Sequence, residues 1–246
     1  MQLSEAKQAL CNKLNILYAD VQAGINDLFS DADLTDAIQA GVNIAWDYER
    51  WQFTLDAKKT TVSSDDLTNG YLDYPNTFED ESIFLLTVNG GEWGKRNFAD
   101  YQRYFSDNPT ATDKLWSEFK RVYFVNVNSL ALNDEIDVYG KLRAPTMVNA
   151  TDKLPFSPEN DNDENSGNRA IVELAYAEIL ESDKKKNPAG AEVARKKALG
   201  WLAALWAPMA ARKSQEQSQN RGFFDDVPDF FAPKGSGRST NIGNFP

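Results

Sequence analysis

The sequence predicts a mainly α protein: a helical bundle with an inserted small antiparallel β-sheet module and an extended C-terminal tail. Three observations predict it. Apolar residues recur at steps of three and four through the first 51 residues and again after residue 168, the spacing of one helix face. Between residues 52 and 148 the texture turns to β-branched and aromatic runs broken by turn residues. After Arg212 the chain becomes polar and rich in Gly, Ser and Asn, the composition of an unfolded linker. The implied segments are an N-terminal helical pair (1–51), a β-rich insertion (52–148), an acidic loop and C-terminal helical pair completing the bundle (149–212), and a flexible docking tail (213–246).

Leu10, Leu14, Leu17, Val21, Ile25 and Leu28 trace one face of a first helix about seven turns long, with Ser4 as its N-cap. The stretch from Ser30 to Asp33 breaks that helix and caps a second, Leu34 to Trp51. Leu34, Ile38, Val42 and Ala45 share one face of it, and Ile44, Tyr48 and Trp51 broaden that face. Strands are expected in QFTLDAKKTTVS, YLDYP and SIFLLTV, the last ending on Asn89-Gly90-Gly91, residues that tolerate the positive φ of a tight turn. A short helix from Asn97 to Phe105 follows, then two strands, Arg121–Val127 and Glu135–Leu142, joined through NSLALND. Residues 149–169 carry two prolines and many acids and read as a loop. Helices then run from Asn168 to Lys184 and from Gly190 to Arg212, separated by the turn NPAG. The last helix has two apolar stripes, Ala194/Ala198/Trp201/Leu205 and Leu199/Leu202/Trp206/Met209. A helix apolar on two faces is central in its core or packed on a neighbouring subunit.

Chemistry is constrained by what the chain lacks. It has no histidine and one cysteine, Cys11, which removes Ser-His-Asp and Cys-His catalysis, a disulfide within the chain and any cysteine metal cage. The acid runs Asp65/Asp66 and Glu79/Asp80/Glu81 are available for carboxylate-only hydrolysis, but 37 acidic residues make neighbours by chance. Asp161-Asn162-Asp163-Glu164-Asn165-Ser166-Gly167 resembles the opening of a calcium loop. Its glycine falls one place late, and Val172 stands where a bidentate Glu is required, so it reads as a solvated loop. Neither enzyme, cofactor nor metal is expected. No apolar run is long enough to span a bilayer, and the net charge of −11 disfavours binding to a phosphate backbone. The segment GFFDDVPDFF stands apart: Phe223, Phe224, Phe230 and Phe231, with Asp225, Asp226 and Asp229, would be an aggregation liability unless they dock on a partner.

The order of these pieces resembles the head-to-tail adaptor (connector) proteins of tailed bacteriophages. The resemblance rests on LTDAIQAGVNIAWDYERW, YLDYPNTFEDESIFLLTVNG, the strands RVYFVNV and EIDVYGKLRAP, DKLPFSPE leading into AIVELAYAEILES, and the closing helix with its extension. It covers roughly residues 3–231. It implies a virion structural protein at the head–tail interface, forming a homo-oligomeric, dodecameric ring beneath the portal protein and meeting a tail or nozzle protein. DNA would pass through the channel without sequence-specific binding, and an acidic lumen would let it slide. It assigns portal docking to Phe223, Phe224, Asp225, Asp226, Phe230 and Phe231, and suits a subunit interface at Trp201, Leu202, Leu205 and Trp206. The free chain is then a monomer that closes into a ring on its partner. The alternative is a virion carbohydrate- or host-binding module using residues 52–142, with Trp93 and Trp116.

Overall fold

A computed structural model describes residues 1–156 and 166–219. It corrects the predicted class. The described residues form seven α-helices and two four-stranded sheets, 47% helical and 19% strand, a mixed α/β fold and not a helical bundle with a small sheet. The chain divides into two compact units, Met1–Trp206 and Ala207–Pro246; what is described of the second continues α7, which carries Pro208 within it.

The helical part of the first unit is built from α1 (Leu3–Leu14), α2 (Tyr18–Gln22), α3 (Asp31–Asp47), α6 (Ser166–Glu181) and the part of α7 (Pro188–Gln219) that ends at Trp206. The long first helix is not formed. Asn15 takes a left-handed conformation (φ 59°) and closes α1, and α2 is a separate short helix. Of the expected stripe, Leu10, Leu14 and Val21 are buried, whereas Leu17, Ile25 and Leu28 face solvent. Ser30 caps α3 as expected: its hydroxyl accepts from the Asp33 N–H, and the Asp33 carboxylate accepts from the Ser30 N–H. Leu34, Ile38, Val42 and Ala45 of α3 and Ala170, Ile171, Leu174 and Ala175 of α6 are all buried. Gly41 permits the contact, because a Cβ there would stand 2.5 Å from the Ile171 carbonyl oxygen. Charged groups stitch the helices: Lys7 to Asp31 at 2.7 Å, and buried Glu173 of α6 to Lys13 of α1 at 2.6 Å and Lys197 of α7 at 3.4 Å.

Lys184 reaches Asp33 at 2.7 Å, and that hydrogen bond, together with the Ser30 cap, holds the Asp33 carboxyl down at about 2. A depressed pKa contributes stability above the unfolded value of 3.8 that is lost as pH falls toward 2. Asp33→Asn is therefore expected to be less stable than the parent at pH 7 and nearly equal to it at pH 2. Urea unfolding at both values checks this, and a gap that persists undiminished at pH 2 would refute it.

Residues 52–148 fold as two sheets around one core. The first has the order β1 (Leu55–Thr61), β8 (Glu135–Lys141), β3 (Leu85–Val88), β4 (Gly91–Glu92), antiparallel throughout. The second has the order β2 (Tyr71–Asp73), β7 (Val122–Val125), β6 (Leu115–Phe119), β5 (Gly94–Lys95), with β5 and β6 parallel. α4 (Ser64–Asn69) and α5 (Phe98–Asp107) lie in the connections. Alternation buries Ile136 and Val138 of β8 and Leu86 and Val88 of β3 against Leu72, Trp116, Tyr123 and Val125 of the second sheet. The Asn89-Gly90 turn is as expected, with φ 50° and 77°. The two strands expected to pair through NSLALND do not: β7 joins β2 and β6, whereas β8 joins β1 and β3. The true hairpin partner of β7 is β6, through a two-residue turn in which Lys120 and Arg121 both have positive φ.

Candidate functional site

The chemistry-bearing acids resolve into structural roles. Asp65 and Asp66 sit in the first turn of α4, where the Asp66 carboxylate accepts from the Ser63 N–H and hydroxyl. Glu79, Asp80 and Glu81 line a cleft of about 380 Å³ with Asp47, Glu49, Arg50, Ser82 and Lys141. Lys141 lies between Asp47 (2.6 Å) and Glu79 (3.0 Å), and burial raises the Glu79 carboxyl. Asp80 is held by both Arg121 and Arg143. Cations thus tie down Asp47, Glu79 and Asp80, whereas no ion pair to Glu49 or Glu81 occurs among the described residues. No group of three potential metal-ligating side chains occurs among the described residues, and Asp161 to Asn165 of the acidic loop lie outside them. Trp93 and Trp116, the candidates for sugar stacking, are 3% and 0% exposed, with the Trp116 indole N–H donating to the Trp93 carbonyl at 3.1 Å. Neither ring is presented at the surface.

The apolar surface that stands out is on α7. From Leu199 to Ala211 no residue carries a charge. The stripe that meets the rest of the unit is Ala191, Ala194, Ala198 and Leu202, all buried, which draws from both expected stripes. Small side chains along this stripe seat α7 against α6, where Ala177 and Leu180 are also buried. Leu202 thus serves this chain's own core, not a neighbour. Trp201 and Leu205 are half-buried, and Val193, Gly200, Ala203 and Ala204 are exposed. Trp206 is half-buried against Trp51, edge to face with ring centroids 5.5 Å apart. Trp51 is fully buried, donates its indole N–H to the Ala45 carbonyl at 2.8 Å, and also meets Phe53 and Phe156. The aromatic cluster therefore anchors the Trp206 side of α7 and leaves the Val193–Ala204 face uncovered.

The docking residues Phe223, Phe224, Asp225, Asp226, Phe230 and Phe231 lie outside the described residues. Sequence reading missed a second exposed apolar segment, Leu17, Ile25 and Leu28, because helical spacing assigned those side chains to a core. It also missed a charge asymmetry that composition does contain. Eight of the 26 basic residues fall between 184 and 213 in a chain whose net charge is −11.

The described residues thus form a two-sheet β module attached to a helical layer, with Gly200, Ala203 and Ala204 of α7 left exposed. No protein-family model matches the chain, and the search of curated proteins found no match.

Proposed function

We propose that this chain is a virion structural protein, not an enzyme, which joins a capsid portal to a tail as an oligomeric ring extending the DNA channel. The observation that carries the reading is α7. A helix uncharged from Leu199 to Ala211, with Gly200, Ala203 and Ala204 exposed and Trp201 and Leu205 half-buried, is a surface suited to a neighbouring copy. The resemblance to phage head-to-tail adaptors supplies the rest: twelve copies, the portal protein above, a tail or nozzle protein below, and location at the head–tail interface of the virion. The peptide with Phe223, Phe224, Phe230 and Phe231 supplies the portal contact, its aromatic side chains acting as anchors. The net charge of −11 suits a channel wall past which DNA slides.

The test is portal capture. The variant with all four tail phenylalanines changed to serine is expected to lose attachment to the portal protein in a pull-down while keeping the parent's circular dichroism and melting temperature. Attachment at the parent's level would sink the docking role.

A further inference from the structure

Two asparagines in the chain are followed directly by glycine, Asn69 and Asn89. That pairing carries a chemistry of its own. The glycine amide nitrogen can attack the asparagine side-chain carbonyl carbon, and glycine presents no Cβ to block the approach. Both asparagines are exposed, and both following glycines have positive φ with nothing within 4 Å of an added Cβ. Exposure and room therefore do not separate the two positions. What separates them is how the side-chain amide and the attacking nitrogen are held.

Asn89 is clamped through both atoms of its amide. Its Nδ2 donates to Asp134 Oδ1 at 2.8 Å, and its Oδ1 accepts from the Glu135 N–H at 2.9 Å. Its own N–H donates to the Glu135 carbonyl at 2.8 Å, and the Asp134 carboxylate is fixed in turn by the Ala131 N–H at 2.7 Å. Turning the Asn89 side-chain carbon onto the Gly90 nitrogen tears the amide away from the start of β8. Asn69 has no such tether, since its side chain makes no hydrogen bond among the described residues. It ends α4, a helix of six residues that buries none of them, and the Ser63–Asp66 capping box lies at the other end. Leu67 packs only partly against the β core. The Gly70 N–H donates to the Asp66 carbonyl at 2.9 Å, within that same short helix. A helix so short and so exposed opens locally at little cost, and opening frees the nucleophile and the carbonyl carbon together.

We propose that Asn69 is a site of spontaneous deamidation and isoaspartate formation in the folded protein, and that the clamp on Asn89 protects it. The Gly70 nitrogen gives its proton to water or hydroxide and bonds to Asn69 Cγ. The Cγ–Nδ2 bond breaks, and the amide leaves as ammonia. Water then opens the resulting cyclic imide. Breaking the bond between the nitrogen and the main-chain carbonyl carbon gives isoaspartate, with the chain running through Cβ and Cγ. Breaking the bond to Cγ gives aspartate. Either product adds a negative charge where α4 meets β2. Isoaspartate also lengthens the chain just before β2, an edge strand that pairs only with β7 and whose Leu72 is buried in the core.

The test incubates the full chain at mildly alkaline pH, folded and in concentrated urea. Both asparagine peptides are followed by mass spectrometry after digestion at acid pH, and a protein isoaspartyl methyltransferase labels the isoaspartate. In the folded chain Asn69 should deamidate about tenfold or more faster than Asn89, whereas in urea the two rates should converge. Equal rates in the folded chain, or Asn89 the faster, overturn the proposal. So does a folded chain that keeps both amides while the unfolded chain loses them. Two variants read the two halves separately. Asn69→Gln, whose longer side chain closes the ring far less readily, should remove most of the isoaspartate label from the folded chain; a label at the parent's level puts the site elsewhere. Asp134→Ala, with its melting temperature measured alongside, should raise the Asn89 rate and leave the Asn69 rate as it is. An Asn89 rate unchanged in that variant overturns the protective role of the clamp.

Discussion

Gly41→Ala is expected to destabilise the protein by about 1 kcal/mol, although alanine is the better helix former. Two effects oppose each other. Alanine in a helix interior is favoured over glycine by about 1 kcal/mol. Against that, the new Cβ would stand 2.5 Å from the Ile171 carbonyl oxygen and 3.2 Å from the Ala175 nitrogen. Both neighbours are backbone atoms of α6, so neither can swing aside as a side chain would. α3 and α6 must separate, and overpacking of this kind costs about 1–3 kcal/mol and occasionally more. Separation would also loosen Leu34, Ile38 and Leu174, which are 0% exposed. The clash therefore wins. Gly200→Ala supplies the control. A Cβ at Gly200 meets nothing within 4 Å, so the same chemical change should stabilise α7 by up to about 1 kcal/mol. Equilibrium unfolding in urea reads both, and equal signs for the two variants would show that close helix approach is not what selects glycine at position 41.

Those two glycines mark where the sequence was legible and where it was not. The helical elements α3, α6 and α7 are readable, because long periodic segments and the Ser30–Asp33 cap carry strong local signals. The Asn89-Gly90 turn is readable for the same reason. What periodicity cannot supply is which turn of an apolar stripe ends in water. Leu10 to Leu28 keeps helical spacing, yet Asn15 breaks the helix through a left-handed cap available to any asparagine. The second sheet was hidden by its turn chemistry. Lys120 and Arg121 adopt positive φ with no Gly or Asn to announce it, so β6 was not recognised and β7 was assigned the wrong partner. Trp93 and Trp116 illustrate the same limit for sites. Exposed and buried tryptophans look alike in a sequence, and here both fill a core. The tail peptide remains legible in sequence alone, because clustered phenylalanines amid polar residues are a matter of composition.

The β module offers a second large effect, at Glu118 of β6. Its side chain is 6% exposed and paired with Lys95, whose ammonium also meets the Ile83 carbonyl at 2.5 Å. The other carboxylate oxygen accepts from the Tyr74 hydroxyl at 3.1 Å and the Ile83 N–H at 3.3 Å. This one carboxylate thereby joins Lys95 and Glu118 of the second sheet to the Ile83 segment that leads into β3 of the first. Burying such a pair gains little over an apolar pair of the same shape, because desolvation offsets most of the attraction. Removing one partner is different, since it strands the other. Lys95→Met leaves the carboxylate buried without its cation and is expected to cost about 3–5 kcal/mol. Glu118→Gln strands Lys95, but that ammonium is 29% exposed and lies over the Trp116 ring, so the loss should be smaller, about 2 kcal/mol. The double variant Lys95→Met/Glu118→Leu should recover most of what Lys95→Met alone loses, although the Tyr74 hydroxyl then loses Glu118 as its acceptor, while the Ile83 N–H keeps the Tyr74 oxygen at 3.0 Å. A cycle of the four proteins in urea measures the coupling directly. Additive losses in the double variant would mean that each residue acts alone, and that the two sheets are held together by the shared apolar core without help from this network.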